Sequence, residues 1–154
     1  MDALTSYLVR HAKAGSRERW TRPDDERPLT PPGLRQAEGL VRQLAAAQVR
    51  RVASSPYVRC VETVAPLASA RGLEVEIADG LAEGAGPDWA VRVLSQANGA
   101  VLCSHADVVG EVVMALADGG ARLEGGLRWA KGSTWIFESE AGRIVSGRYL
   151  PPPE

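Results

Sequence analysis

Tyr7-Leu8-Val9-Arg10-His11-Ala12 sets a short apolar run directly against an arginine and a histidine. Such a run, closed by a polar stretch, reads as a strand buried on both faces. Its carboxyl end then carries Arg10 and His11. The same pattern returns at Ala100-Val101-Leu102-Cys103, again a buried strand, followed by Ser104-His105. Between and after these two runs the chain alternates helical and extended signals. Ala12 to Leu29 is polar and holds two prolines, so a long loop is expected. Thr30 before Pro31-Pro32-Gly33 is a cap and first turn, opening a helix to about Ala47 with Leu34, Ala37, Val41, Leu44 and Ala45 as its apolar face. Arg51-Val52-Ala53-Ser54 reads as a second strand.

Ser55-Pro56 caps and starts another helix, which Pro66 should kink or shorten. Leu73 to Ile77 is a strand, Gly80 to Gly86 a loop, and Pro87 to Ala97 a helix. Val108 to Leu116 is the helix after the second buried run. Thr134 to Phe137 and Ile144 to Leu150 read as two antiparallel strands near a sheet edge. Strands alternating with helices of this length give an α/β class: a three-layer sandwich with a mostly parallel central sheet and helices on both faces.

Composition narrows the function classes. The 154 residues suit one domain, expected over 1–150, with the Pro-rich 151–154 a frayed tail. Lys plus Arg is 18 against 19 for Asp plus Glu, which leaves no basic footprint for nucleic acid or an anionic membrane. No apolar run approaches the roughly 18 residues of a membrane span. Met1-Asp2-Ala3-Leu4 lacks the features of a secretion signal, so a cytoplasmic location is expected. Cys60 and Cys103 then read as reduced thiols, and nothing is spaced as a metal site. Only two of the 18 basic residues, Lys13 and Lys131, are lysines, which reads first as base composition.

In sheets of this kind ligands bind beyond the carboxyl ends of the strands. Those ends carry Arg10-His11, Ser54-Ser55 with Arg59 one turn into a helix, Asp79 and Glu83, and Ser104-His105. The chain has two histidines, and both fall on this edge. Two imidazoles, two arginines and a carboxylate suit phosphoryl transfer through a phosphohistidine. A neutral imidazole is nucleophilic near pH 7, guanidinium groups neutralise the phosphate oxygens, and an acid protonates the leaving oxygen.

The blocks around these residues resemble the histidine phosphatase superfamily, the phosphoglycerate-mutase-like proteins. Tyr7-Leu8-Val9-Arg10-His11-Ala12 is similar to its Arg-His-Gly signature, with Ala12 in place of the glycine. Leu29-Thr30-Pro31-Pro32-Gly33-Leu34-Arg35-Gln36-Ala37 resembles its Leu-Thr-x-x-Gly-x-x-Gln-Ala helix start, and Ser54-Ser55-Pro56-Tyr57-Val58-Arg59-Cys60-Val61-Glu62-Thr63 its Ser-Ser-Pro-x-x-Arg-x-x-x-Thr block. Leu81-Ala82-Glu83 and Ser104-His105 match the acid and second-histidine positions. The resemblance implies the phosphoglycerate-mutase-like fold, no cofactor, His11 as nucleophile and Glu83 as proton donor, with Asp79 as its rival. It places Arg10, Arg59 and His105 around the phosphate and makes Cys60 and Cys103 core neighbours of the site.

Glu83 to His105 spans one short helix and a strand, without the long insertion of the mutase-type members. The chain therefore resembles the minimal protein-phosphohistidine phosphatases of the SixA type. It also resembles the phosphatase domain of MutT/Nudix fusion proteins, through Lys131-Gly132-Ser133-Thr134 and the Arg-rich first loop. The expected partner is a phosphorylated protein or a small phosphorylated molecule; a catalytically idle phosphate-binding module is the alternative outside enzymes. Arg17, Trp20, Arg22 and Lys131 form a candidate substrate rim. The competing reading of Lys13 to Arg27 is a solvated loop whose charges pair with one another.

Overall fold

A computed structural model of the protein describes residues 3–154; Met1 and Asp2, which belong to the leader reading, lie outside the described residues. The strands are β1 (Leu4–Arg10), β2 (Arg51–Ser54), β3 (Val75–Ile77), β4 (Ala100–Ser104), β5 (Arg122–Glu124), β6 (Thr134–Glu140) and β7 (Arg143–Leu150). The helices are α1 (Pro31–Gln43), α2 (Val58–Ala70), α3 (Asp88–Gln96) and α4 (Ala106–Asp118). The strands form one sheet in the order β3-β2-β4-β1-β6-β7-β5. Every neighbouring pair is parallel except β1–β6 and β6–β7, so β6 alone runs against the rest.

Alternation along the strands divides the core into two. Tyr7, Val9, Val52, Val101 and Cys103 face α1 and α2, meeting Leu40, Leu44, Val64 and Leu67. Leu8, Ala53 and Leu102 point the other way into α3 and α4, with Leu94, Val109, Val113, Trp135 and Phe137. This is the expected three-layer α/β sandwich. The central strands bury both faces, as the continuous apolar runs required.

Boundaries differ from the sequence reading where side chains intervene. Thr30 caps α1, its hydroxyl accepting from the Gly33 amide at 3.3 Å. Regular helix stops at Gln43 rather than near Ala47, because the Arg71 guanidinium takes the Leu44 and Ala47 carbonyls at 2.6 and 2.7 Å. The next helix starts at Val58, since the Ser55 hydroxyl instead accepts from the Tyr57 amide. Pro66 does not shorten α2, whose buried Val64, Leu67 and Ala68 carry the apolar face past it. Leu73 is drawn into the end of α2 by a bond to the Ala68 carbonyl, leaving β3 only three residues.

The strand pair at the far end of the sheet sits deeper than expected. β6 lies between β1 and β7, and the edge is β5, which the sequence reading missed because it offers one apolar side chain, Leu123, between two exposed charges. Ala141 and Gly142, at φ 53° and 76°, form the two-residue turn between β6 and β7. The Pro-rich end, expected to fray, lies on α1: the Gln43 amide donates to the Pro151 carbonyl at 2.8 Å and Pro153 covers Gly39. Among the described residues no helix is long and apolar enough to cross a membrane.

Candidate active site

β1 and β4 are parallel neighbours in register, Arg10 opposite Ser104, so the next residue of each strand is a histidine. The His11 amide donates to the Ser104 carbonyl at 3.0 Å, and the two imidazoles meet edge to face with centroids 5.6 Å apart. Strand order thus turns a separation of 94 residues into contact. Ala12 fills a small apolar pocket with Leu29 and Ala37, and its amide donates to the Thr63 hydroxyl at 2.9 Å.

The His11 ring is 7% exposed. Its Nδ1 lies 2.8 Å from the Ala12 carbonyl, which can only accept, so Nδ1 carries the hydrogen and Nε2 keeps its lone pair. Burial lowers the pKa of this imidazole to about 3. The Ala12 bond opposes the shift, while the charges of Arg59, His105 and Arg10 add to it. A neutral ring with a free Nε2 is the form that can attack phosphorus.

His105 closes β4 and begins α4; it is 2% exposed. Ser55 Oγ accepts from the Tyr57 amide and lies 2.8 Å from His105 Nε2, to which its own hydrogen is free to donate. When the hydroxyl donates, Nδ1 carries the ring hydrogen, and Nδ1 has no hydrogen-bond partner among the described residues. Arg10 and Arg59 repeat this condition. Arg10 donates through Nη1 to the Trp129 carbonyl at 2.9 Å, and its Nε is buried without a partner. Arg59 is fully buried, with its guanidinium 4.9 Å from the Tyr57 ring centre and its Nε likewise unpartnered. A buried donor left unmade costs about 1–3 kcal/mol. Two such guanidinium N–H groups and the unpartnered His105 Nδ1 lie on residues around His11, an arrangement suited to an anion.

Glu83 and Asp79 separate. Glu83 lies 3.7 Å from Arg59 Nη2 and 3.1 Å from Arg17 Nη2, whereas Asp79 opens an exposed 3-10 turn and makes no ion pair among the described residues. The backbone on either side of Glu83 is held by the second-histidine block: Ser104 Oγ donates to the Leu81 carbonyl, and Asp107 accepts from the Gly84 amide.

The candidate rim divides. Arg17 reaches Glu83, but Arg22 pairs with Glu26 at 2.8 Å and points its charge back into the loop. Trp20 donates to the Pro23 carbonyl, half-buried, and the exposed Lys131 is fixed through its carbonyl, which accepts from Gln36 at 3.3 Å. For Arg22 the self-paired reading of the loop describes the structure. Cys60 and Cys103 are buried and free, and Cys60 Sγ lies 3.6 Å from His105 Nε2, so it touches the site itself. Burial pushes the Cys103 thiol up, keeping it protonated.

Asp24, Tyr57 and Thr63 also build the site; the sequence reading assigned them no role, although Tyr57 and Thr63 stand in the Ser54–Thr63 block. Asp24 accepts from Arg59 and Arg27, each at 3.0 Å. Its only sequence signal was a carboxylate in a loop following an Arg-His pair.

The description of the histidine phosphatase superfamily, branch 1, matches residues 6–101. A protein from Mycolicibacterium smegmatis (strain ATCC 700084 / mc(2)155) named 8-oxo-(d)GTP phosphatase is 29% identical over 161 residues, covering 100% of this chain and 50% of that protein. The chain therefore spans about half the length of that curated relative. Among solved structures, a protein assigned as phosphohistidine phosphatase SixA from Nakamurella multipartitia superposes with a TM-score of 0.73 at 24% identity, over 100% of this chain and 97% of the other. The protein histidine phosphatase SixA complexed with tungstate gives 0.74 at 19% identity, over 98% and 97%. With the match reaching from the strand that ends in Arg10-His11 to β4, the chain belongs to the histidine phosphatase superfamily, branch 1.

Proposed function

We propose that this protein hydrolyses a phosphomonoester or a protein phosphohistidine through a phospho-His11 intermediate, without a metal or cofactor. The observation that carries the reading is the neutral His11, its Nε2 free, beside the unpartnered buried Nε–H groups of Arg10 and Arg59 and the unpartnered Nδ1 of His105. In the first step Nε2 attacks phosphorus, the bond to the leaving group breaks, and Glu83 supplies the leaving group's proton. In the second, water attacks phosphorus and the bond to Nε2 breaks, the water's proton passing to the Glu83 carboxylate, which releases phosphate and restores both the imidazole and the acid. Arg10, Arg59 and His105 hold the phosphoryl oxygens in both steps, where such preorganised donors are worth about 3 kcal/mol each.

A SixA-like protein phosphohistidine is the favoured substrate. The segment between Glu83 and His105 holds only α3 and β4, which leaves the mouth open to a phosphate presented on something large. A second reading, a nucleotide phosphatase, is supported by the similarity of this chain to half of the protein named 8-oxo-(d)GTP phosphatase. A panel under equal conditions separates them: a phosphohistidine protein, nucleoside di- and triphosphates, sugar phosphates and an aryl phosphate. The favoured reading predicts the highest kcat/KM for the phosphoprotein. A nucleotide preference supports the second reading, and binding without turnover of any of them would leave an idle module.

A further inference from the structure

The loop between β1 and α1 places one carboxylate on the phosphate-facing arginine. Asp24 opens a 3-10 turn, Asp24–Glu26, and holds Arg59 twice: its carbonyl accepts from Nη1 at 2.8 Å and its Oδ2 from Nη2 at 3.0 Å. Behind it, Arg27, itself 6% exposed, donates through Nε to Asp24 Oδ1 at 3.0 Å and through Nη1 to the Gly15 carbonyl at 2.6 Å. Arg17 completes the group, lying 3.7 Å from Asp24 Oδ2 and 3.1 Å from Glu83. The four side chains form a closed ring of alternating charge: Arg59, Asp24, Arg17, Glu83.

A guanidinium has five N–H donors in a rigid fork. Asp24 grips the terminal nitrogens end-on, which leaves the side edge, Nε with the second hydrogen of Nη2, as the pair available to a phosphate. That Nε is the buried donor with no partner among the described residues. We infer that Asp24 is a positioning residue for phosphate binding, fixing Arg59 so that its side edge faces the anion. The inference rests on the proposed phosphatase reading. Burial acts to raise the Asp24 pKa, but the Arg27 hydrogen bond and the Arg59 charge outweigh it and hold the group below the usual carboxylate range. It stays ionised and keeps its grip on Arg59.

Two effects of this carboxylate oppose each other, which makes the inference testable. A negative charge beside the site repels phosphate, whereas a fixed guanidinium edge attracts it. If positioning dominates, Asp24→Ala weakens phosphate binding; if repulsion dominates, it strengthens it. The carbonyl contact to Nη1 belongs to the main chain and survives the substitution. The experiment measures KM and kcat for an aryl phosphate and the inhibition constant of inorganic phosphate, for the wild-type protein and Asp24→Ala. Expected are rises of about ten-fold in both KM and the phosphate inhibition constant, the size of one charge-assisted hydrogen bond, with a smaller change in kcat. The Nε–H resonance of Arg59 should be resolved and slow to exchange in the wild type and should broaden in the variant. Should Asp24→Ala fail to fold, Asp24→Asn, which keeps one acceptor oxygen, should show the same rises at several-fold size. Phosphate binding unchanged or tighter in the folded variant overturns the inference. A wild-type protein that turns over no phosphate ester overturns the proposed function instead.

Discussion

His11 sits where a protonated imidazole would be buried against two arginines, and its neutral state is therefore part of the folded structure. The ordinary value near 6.5 falls to about 3 in the folded protein. Between those values the unfolded chain binds a proton at His11 that the folded chain does not. Stability contributed by the neutral ring is therefore full above about pH 6.5 and declines as the pH falls towards 3. His11→Gln removes this titration. Melting temperatures at pH 7 and pH 5 should show the wild type losing more than the variant over that interval. Equal losses would place the imidazole in contact with solvent. The same shift means that activity lost on acidification to pH 5 does not come from protonating the nucleophile. At this scale the convergence of the histidines and Arg59 on one edge was legible, because each histidine follows the end of a strand and Arg59 lies in the first turn of the helix after another. Asp24 was not: its role depends on a buried arginine 35 positions away, and no local pattern records such a pairing.

α1 brings Thr30 and Gly33 against the chain leaving β1. The Lys13 carbonyl accepts from the Thr30 amide at 3.0 Å and its hydroxyl at 3.2 Å, and a Cβ at Gly33 would collide with that same carbonyl. Gln36, one turn on, accepts from the Lys13 amide and donates to the Lys131 carbonyl, tying both flanks of His11 to the helix. Gly33→Ala therefore should cost about 1–3 kcal/mol by overpacking, read in chemical denaturation, and should lower kcat by disturbing the backbone after His11. Unchanged stability would contradict the close approach. Thr30 and the prolines made the start of α1 legible, since caps are local chemistry. Its end was not, because Arg71 reaches across from α2 to take the last carbonyls. β5 was invisible for a related reason: a three-residue edge strand is defined by its pairing with β7 and carries no period of its own.

At the scale of the molecule, the site is a consequence of strand order. The sheet sets β4 between β2 and β1, so Ser55, Arg59, His105, His11 and Arg10 arrive at one edge from three neighbouring strands. The continuous apolar runs of β1 and β4 announced a sheet covered on both faces, and two separate cores now fill those faces. What the runs could not announce is the antiparallel β6 inserted beside β1, whose neighbouring loop delivers the Trp129 carbonyl to Arg10 and the Gly132 amide to the His11 carbonyl. All of this converges on one atom, Nε2 of His11. The most direct measurement is rapid quench with a phosphorus-labelled aryl phosphate, followed by peptide mapping. The account predicts label on His11, stable in alkali and lost in acid, with both label and turnover abolished in His11→Ala. Full activity in that variant, or label on any other residue, would contradict it.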